Sequence, residues 1–151
     1  MTLEIGTISH GTHRAADLAS SIFPILKNCV GDENSKLLDD LLEIMTYSRD
    51  SDEDHETIQE AIETLQEYAP PFTYVGTHEG DGSDLGCWPD TEAMRTAIHD
   101  KEAVAISDLS DIDKLSFSDL SESRYAILTN DHGNVTVYEL SVATTPLWAC
   151  V

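Results

Sequence analysis

Two adjacent prolines, Pro70 and Pro71, divide this chain into two patterns. A proline gives no N–H to a helix or an inner strand, and it pushes the residue before it toward extended backbone. No regular element is expected to run through the pair. Before it, apolar residues recur at helical spacing; after it, short runs alternate as strands do. Helices first and strands later predict an α+β fold, with an N-terminal helical hairpin packed on a mainly antiparallel C-terminal sheet. A length of 151 residues, 40% of them hydrophobic, suits one domain over 1–151. Its helical part covers about 12–69 and its mixed strand part about 72–151.

In the helical part, Thr12 is placed to cap a helix starting near His13, with Asp17 in its first turn. Ala15, Leu18, Ile22, Phe23 and Leu26 share a face, and Pro24 predicts a kink or break. The segment SKLLDDLLEIMTYSRD puts Leu37, Leu38, Leu41, Leu42 and Met45 on one stripe, opposite Asp39, Asp40 and Glu43. Ser51 then opens a second amphipathic helix whose first turn holds Asp52, Glu53 and Asp54, a capping-box arrangement. Its apolar face is Ile58, Ala61, Ile62, Leu65 and Tyr68 or Ala69. These two helices are expected to pair with their acids outward.

After the prolines, FTYVGTH, AVAIS, RYAILTN and NVTVYEL read as strands, the last two joined at Asp131, His132 and Gly133. TEAMRTAIH reads as a short helix and PLWACV as a final edge strand. The stretch SDLSDIDKLSFSDLSES reads as loop or short helical turns.

Charge limits the function classes. Twenty-nine acids against eight bases leave a net charge of −21, which repels nucleic acid and anionic membranes. Residues 31–67 alone hold thirteen acids and two bases. That density suits either a highly soluble face or a surface for a basic protein partner. Cys29, Cys87 and Cys150 have no zinc-knuckle or redox spacing and read as reduced thiols. The start MTLEIGTISHGTHR has neither the basic nor the apolar region of a signal peptide, and no run is long enough to span a membrane. Cytoplasmic residence is the expectation.

The stretch GTHEGDGSDLGCWPD, residues 76–90, invites several chemistries. As a phosphate cradle it lacks the lysine and hydroxyl of a P-loop, and its acids oppose an anion. As an EF-hand starting at Asp81, it fails at the fifth position, Leu85. A divalent-metal site built from His10, His13, His78, Glu79, Asp81 and Asp84 stays open, because histidine and carboxylate ligands suit zinc or iron. No nucleophile elbow is present, and no catalytic residue is assigned. The simpler expectation is geometric: glycines at positive φ turn the chain so that Trp88 enters the core and its indole N–H meets a carbonyl.

The segments HGTHRAADL, EYAPPFTYVGTHEGDGSDLGCWPD, NDHGNVTVYEL and LWACV together resemble a group of small uncharacterised phage and bacterial proteins. That group shares a G-T-x-R-x-x-D-L helix start, a G-x-H-x-G-D-G-x-D-x-G-x-W loop and an N-D-H-G-N-V hairpin. The matching positions are Gly11, Thr12, Arg14, Asp17, Leu18, His78, Gly80, Asp81, Gly82, Asp84, Gly86, Trp88, Asp131, His132 and Gly133. Cys87 stands where the group has an aromatic residue. The resemblance implies an accessory protein and no particular activity.

The expected function is a noncatalytic acidic protein that engages a basic protein partner, in its sharpest form as a DNA mimic or inhibitor. The face would be Asp39, Asp40, Glu43, Asp52, Glu53, Glu56, Glu60 and Glu63, with no cofactor. The alternatives are a metal-dependent enzyme around the Gly-rich loop, holding a divalent ion, and a structural subunit acting as a homo-oligomer through an edge strand.

Overall fold

The computed structural model describes residues 2–31, 33–116, 123–140 and 145–150, and the chain forms an α+β fold of two compact units, residues 1–88 and 89–151. The first unit contains β1 (Gly6–His10), α1 (Ala15–Val30), α2 (Ser35–Tyr47), α3 (Asp52–Gln66), β2 (Thr73–His78) and all but the last residue of β3 (Asp81–Pro89).

Helix α1 is continuous through Pro24, where a kink or break was expected. The proline sits on the exposed side, while Ile22 and Leu26 on either side of it are fully buried. Burial of those side chains offsets the lost backbone hydrogen bond. The helix also starts two residues later than the sequence suggested. Thr12 does not cap it directly: its hydroxyl donates to Asp17 (2.8 Å) and accepts from the Arg14 N–H (3.1 Å). The cap comes from far along the chain, as Asp50 Oδ1 accepts the Ala15 N–H at 2.7 Å.

Helix α2 buries Leu37, Leu38, Leu41 and Ile44. Leu42 and Met45, expected on that stripe, are 43% and 38% exposed. The core-facing arc is therefore rotated toward Ile44, because both α2 and α3 pack mainly against α1 rather than chiefly against each other. Helix α3 follows its sequence pattern. Ser51 Oγ accepts the Asp54 N–H, and Asp54 Oδ2 accepts the Ser51 N–H, closing the capping box. Ile58, Ala61 and Leu65 are buried.

The Gly-rich stretch is mostly strand rather than loop. Strands β2 and β3 are joined by the two residues Glu79 and Gly80, so they run antiparallel, and β1 pairs on the other side of β3. The order is β1-β3-β2. Leu85 and Cys87 face the core shared with all three helices, together with Val75 and Leu3. Alternation along β3 then places Gly86 and Trp88 on the opposite face. Trp88 is half-buried and does not enter the core as expected; Cys87 does. Its indole N–H does meet a carbonyl, that of Gly76 at 3.0 Å.

The glycines also serve a different purpose from the one predicted. None of Gly76, Gly80, Gly82 or Gly86 has a positive φ. Gly86 is required by close approach: a Cβ there would lie 2.4 Å from the Gly6 carbonyl oxygen and 2.5 Å from the Trp88 ring.

The second unit contains α4 (Thr91–His99), β4 (Ala103–Ile106), a 3₁₀ helix (Leu109–Lys114), β5 (Tyr125–Thr129), β6 (Val135–Glu139) and β7 (Thr145–Cys150). Its sheet order is β4-β5-β6-β7. β4 and β5 are parallel; the remaining pairs are antiparallel. The expected hairpin turns at Asn130–Asn134, where Asn130 Oδ1 accepts the N–H groups of His132 and Asn134 and Gly133 takes φ 83°. Met94, Ile106, Ile127, Val137 and Trp148 are buried in this unit. The stretch expected as loop or short turns holds the 3₁₀ helix, and its residues 117–122 lie outside the described residues.

Candidate functional site

The acids expected to form a binding face lie on α2 and α3. Asp39, Glu43, Asp52, Glu53, Glu56, Glu60 and Glu63 are exposed, and Asp40 is half-buried. Two of these carboxylates have side-chain partners: Asp40 accepts from Lys36 Nζ at 2.6 Å and Glu63 from Gln59 at 3.0 Å. Among the described residues, the carboxylates of Asp39, Glu43, Asp52, Glu53, Glu56 and Glu60 form no hydrogen bond or ion pair with the protein. The Asp40 carboxylate, with Glu60 nearby, holds the Lys36 ammonium above its usual range. Even this one base is thus absorbed by the acids around it.

Between the two helices is a cleft of about 190 Å³. Asp40, Glu43, Glu53 and Asp54 line it, with Ile44 and Tyr47 beside them. Asp54 is already engaged. Its carboxylate accepts from the Ser48 hydroxyl and from the N–H groups of Ser51 and Arg49, and these bonds, Ser48 first, hold it below the usual carboxylate range. The other three line the cleft with charge that the protein does not neutralise except through Lys36. Tyr47, which no sequence pattern singled out, stands 75% exposed at its edge. The available signal was its place in the last turn of α2, on the acidic side rather than the apolar stripe.

Of the residues named for a metal, the structure brings His10 and Asp81 together. His10 Nε2 is 3.3 Å from Asp81 Oδ2, and Asp84 lies opposite His10 in the β1–β3 register. Asp81 is held below the usual range first by the Ser83 hydroxyl, then by the Ser83 N–H, with His10 a smaller cause. His78 faces a different partner: its ring meets Trp88 edge-on, centroids 4.8 Å apart, and its Nδ1 accepts the Gly80 N–H. Glu79 occupies the turn, and His13 is exposed just before α1. Among the described residues no group of three or more His, Cys, Asp or Glu side chains is placed to hold a metal ion. One oxygen of Asp84 is buried without a hydrogen-bond partner among them.

Burial pushes the thiols of Cys29 and Cys87 up, and Cys87 sits fully inside the core against Thr73 Oγ1. Another cleft, of about 280 Å³ between α1 and the N-terminal strand, is lined by Ile5, Ile8, Ile25 and Cys29, with Glu4 beside them. Among the described residues no helix is long and apolar enough to cross a membrane. No family model, no curated protein and no solved structure matches the chain.

Proposed function

We propose that this chain is a noncatalytic binding protein of phage or bacterial accessory type that engages a basic protein through the acidic face of α2 and α3. The observation that carries this reading is the row of exposed carboxylates on adjacent helices without a partner among the described residues, two of which, Glu43 and Glu53, line a cleft edged by an exposed tyrosine. Like charges held this close repel one another in the free chain, and a cationic partner relieves that repulsion. Complementary charge of this kind also speeds encounter and makes it sensitive to salt. Inhibition of a nucleic-acid-binding protein by occupying its basic groove is the sharpest form of the same reading.

The test is affinity capture on the immobilised chain, at low and high salt, beside a Glu43→Lys/Glu53→Lys variant. Basic proteins retained at low salt, eluted by high salt and lost with the variant are the expected result. Retained proteins that are not basic, or that bind the variant equally well, would overturn the reading.

A further inference from the structure

The acidic face is not uniformly acidic, and the exceptions are arranged. At 100° per residue, Leu42 and Met45 fall on the flank of α2 next to α1, while Asp40, Glu43 and Tyr47 fall on the flank next to α3. Asp39 and Thr46 lie between them on the outermost line. On the α1 side, Phe23, Leu38 and Leu42 line a shallow hollow of about 170 Å³, bounded by Asp39 and Lys27. On the α3 side lies the acidic cleft of about 190 Å³. Helix α2 is therefore a ridge with an apolar hollow on one side and an acidic one on the other.

We infer that this ridge is the docking site of a cationic amphipathic helix. The inference rests on the reading that the α2–α3 face engages a basic protein, and it names the form of that partner. The apolar stripe of the incoming helix covers Phe23, Leu42 and Met45, and its Lys or Arg side chains reach Asp40, Glu43 and Glu53, with Tyr47 offering a ring face to a guanidinium.

Charge complementarity decides the occupant. A second copy of this face brings the same unpaired carboxylates, and nucleic acid brings phosphates; both are repelled. A partner whose basic groove is built only for phosphates leaves Leu42 and Met45 uncovered, so their exposure favours a segment with an apolar stripe of its own. Methionine adapts its shape to such a stripe more readily than a branched side chain does. The Phe23 ring already lies 5.8 Å from the Lys27 ammonium, so the same hollow accepts a cation at its rim.

The experiment compares two labelled synthetic peptides of equal length and charge by fluorescence anisotropy. One places Lys and Leu in an amphipathic helical pattern; the other has the same lysines among Gly and Ser. The amphipathic peptide should bind roughly tenfold more tightly, the order expected from covering two apolar side chains. Leu42→Ser/Met45→Ser, at exposed positions and with its fold checked by circular dichroism, should erase that advantage. Glu43→Gln/Glu53→Gln should weaken both peptides and flatten their salt dependence. Equal binding of the two peptides, or an advantage untouched by Leu42→Ser/Met45→Ser, would overturn the amphipathic-helix inference and leave the basic-partner reading standing. Binding of neither peptide would count against both.

Discussion

The acids of the second unit and those on the α2–α3 face of the first are used in opposite ways. Residues 1–88 carry eighteen acids against four bases, and residues 89–151 carry eleven against four. In the second unit most described carboxylates are engaged. Asp90 caps α4 by accepting the Ala93 N–H, and Asp108 and Asp111 close a capping box on the 3₁₀ helix. Glu92 pairs with Arg95, Asp111 with Lys114, and Glu139 with Arg124. On α2 and α3 of the first unit, by contrast, the carboxylates of Asp39, Glu43, Asp52, Glu53, Glu56 and Glu60 are exposed and form no hydrogen bond or ion pair among the described residues. Total charge does not distinguish an acid that holds the fold from one left free for another molecule. Partnering does.

The largest expected effect tests whether the first unit's core depends on one close approach. Gly86→Ala forces a methyl group against the Gly6 carbonyl and the Trp88 ring, at a cost of about 2 kcal/mol. Urea denaturation should show the loss, and amide exchange should place it in β1 and β3. Equal loss of protection in β5 and β6 would show that both cores unfold together.

A smaller effect addresses the acids directly. Asp90→Ala removes the α4 cap and should destabilise by about 1 kcal/mol. Glu56→Ala on α3 should change stability by less than about 0.5 kcal/mol, since its exposed carboxylate has no partner among the described residues. Equal losses in the two variants would break the contrast between engaged and free carboxylates.

The smallest effect is on pH. Bonds from Lys114 and the Ser107 and Asp108 N–H groups hold Asp111 below the usual range, and Ser110 does the same for Asp108. A depressed folded pKa means the native state resists protonation. Their contribution is complete above the unfolded value of about 4 and is lost as pH falls through the folded one. Asp108→Asn/Asp111→Asn should flatten the fall in stability below about pH 4 that comes from the second unit. Glu92→Gln, which removes a carboxylate outside that capping box, serves as the control. Denaturant titrations across that range decide it.

What the sequence showed plainly was local. The Ser51–Asp54 box, the stop at Pro70 and the Asn130–Gly133 turn all depend on residues within a few positions of one another, and each appears as expected. What it hid was tertiary. Whether Leu42 or Ile44 is buried depends on how α2 meets α1, which no period along α2 reveals. The Gly-rich stretch read as a loop because glycine usually signals a turn. Here Gly86 is needed because the Gly6 backbone and an indole lie against it, and both contacts come from strand pairing. The α2–α3 acids were legible as a face, but their lack of partners was not. The two hollows, and the place of Tyr47 at the edge of one, emerged only once the helices were packed.

Asp50 has a consequence for the order of folding. One of its oxygens accepts the first N–H of α1 and lies 3.2 Å from His55 Nε2, while its backbone sits at φ 60°. The first turn of α1 is thus completed by an atom 35 residues downstream, in the connection between the other two helices. Such a contact forms only after that long loop closes, so the front of α1 locks later than its middle turns, whose hydrogen bonds span four residues. The first turn of α1 thus belongs energetically to the α2–α3 connection, and a chain cut before residue 50 would leave that turn without its cap.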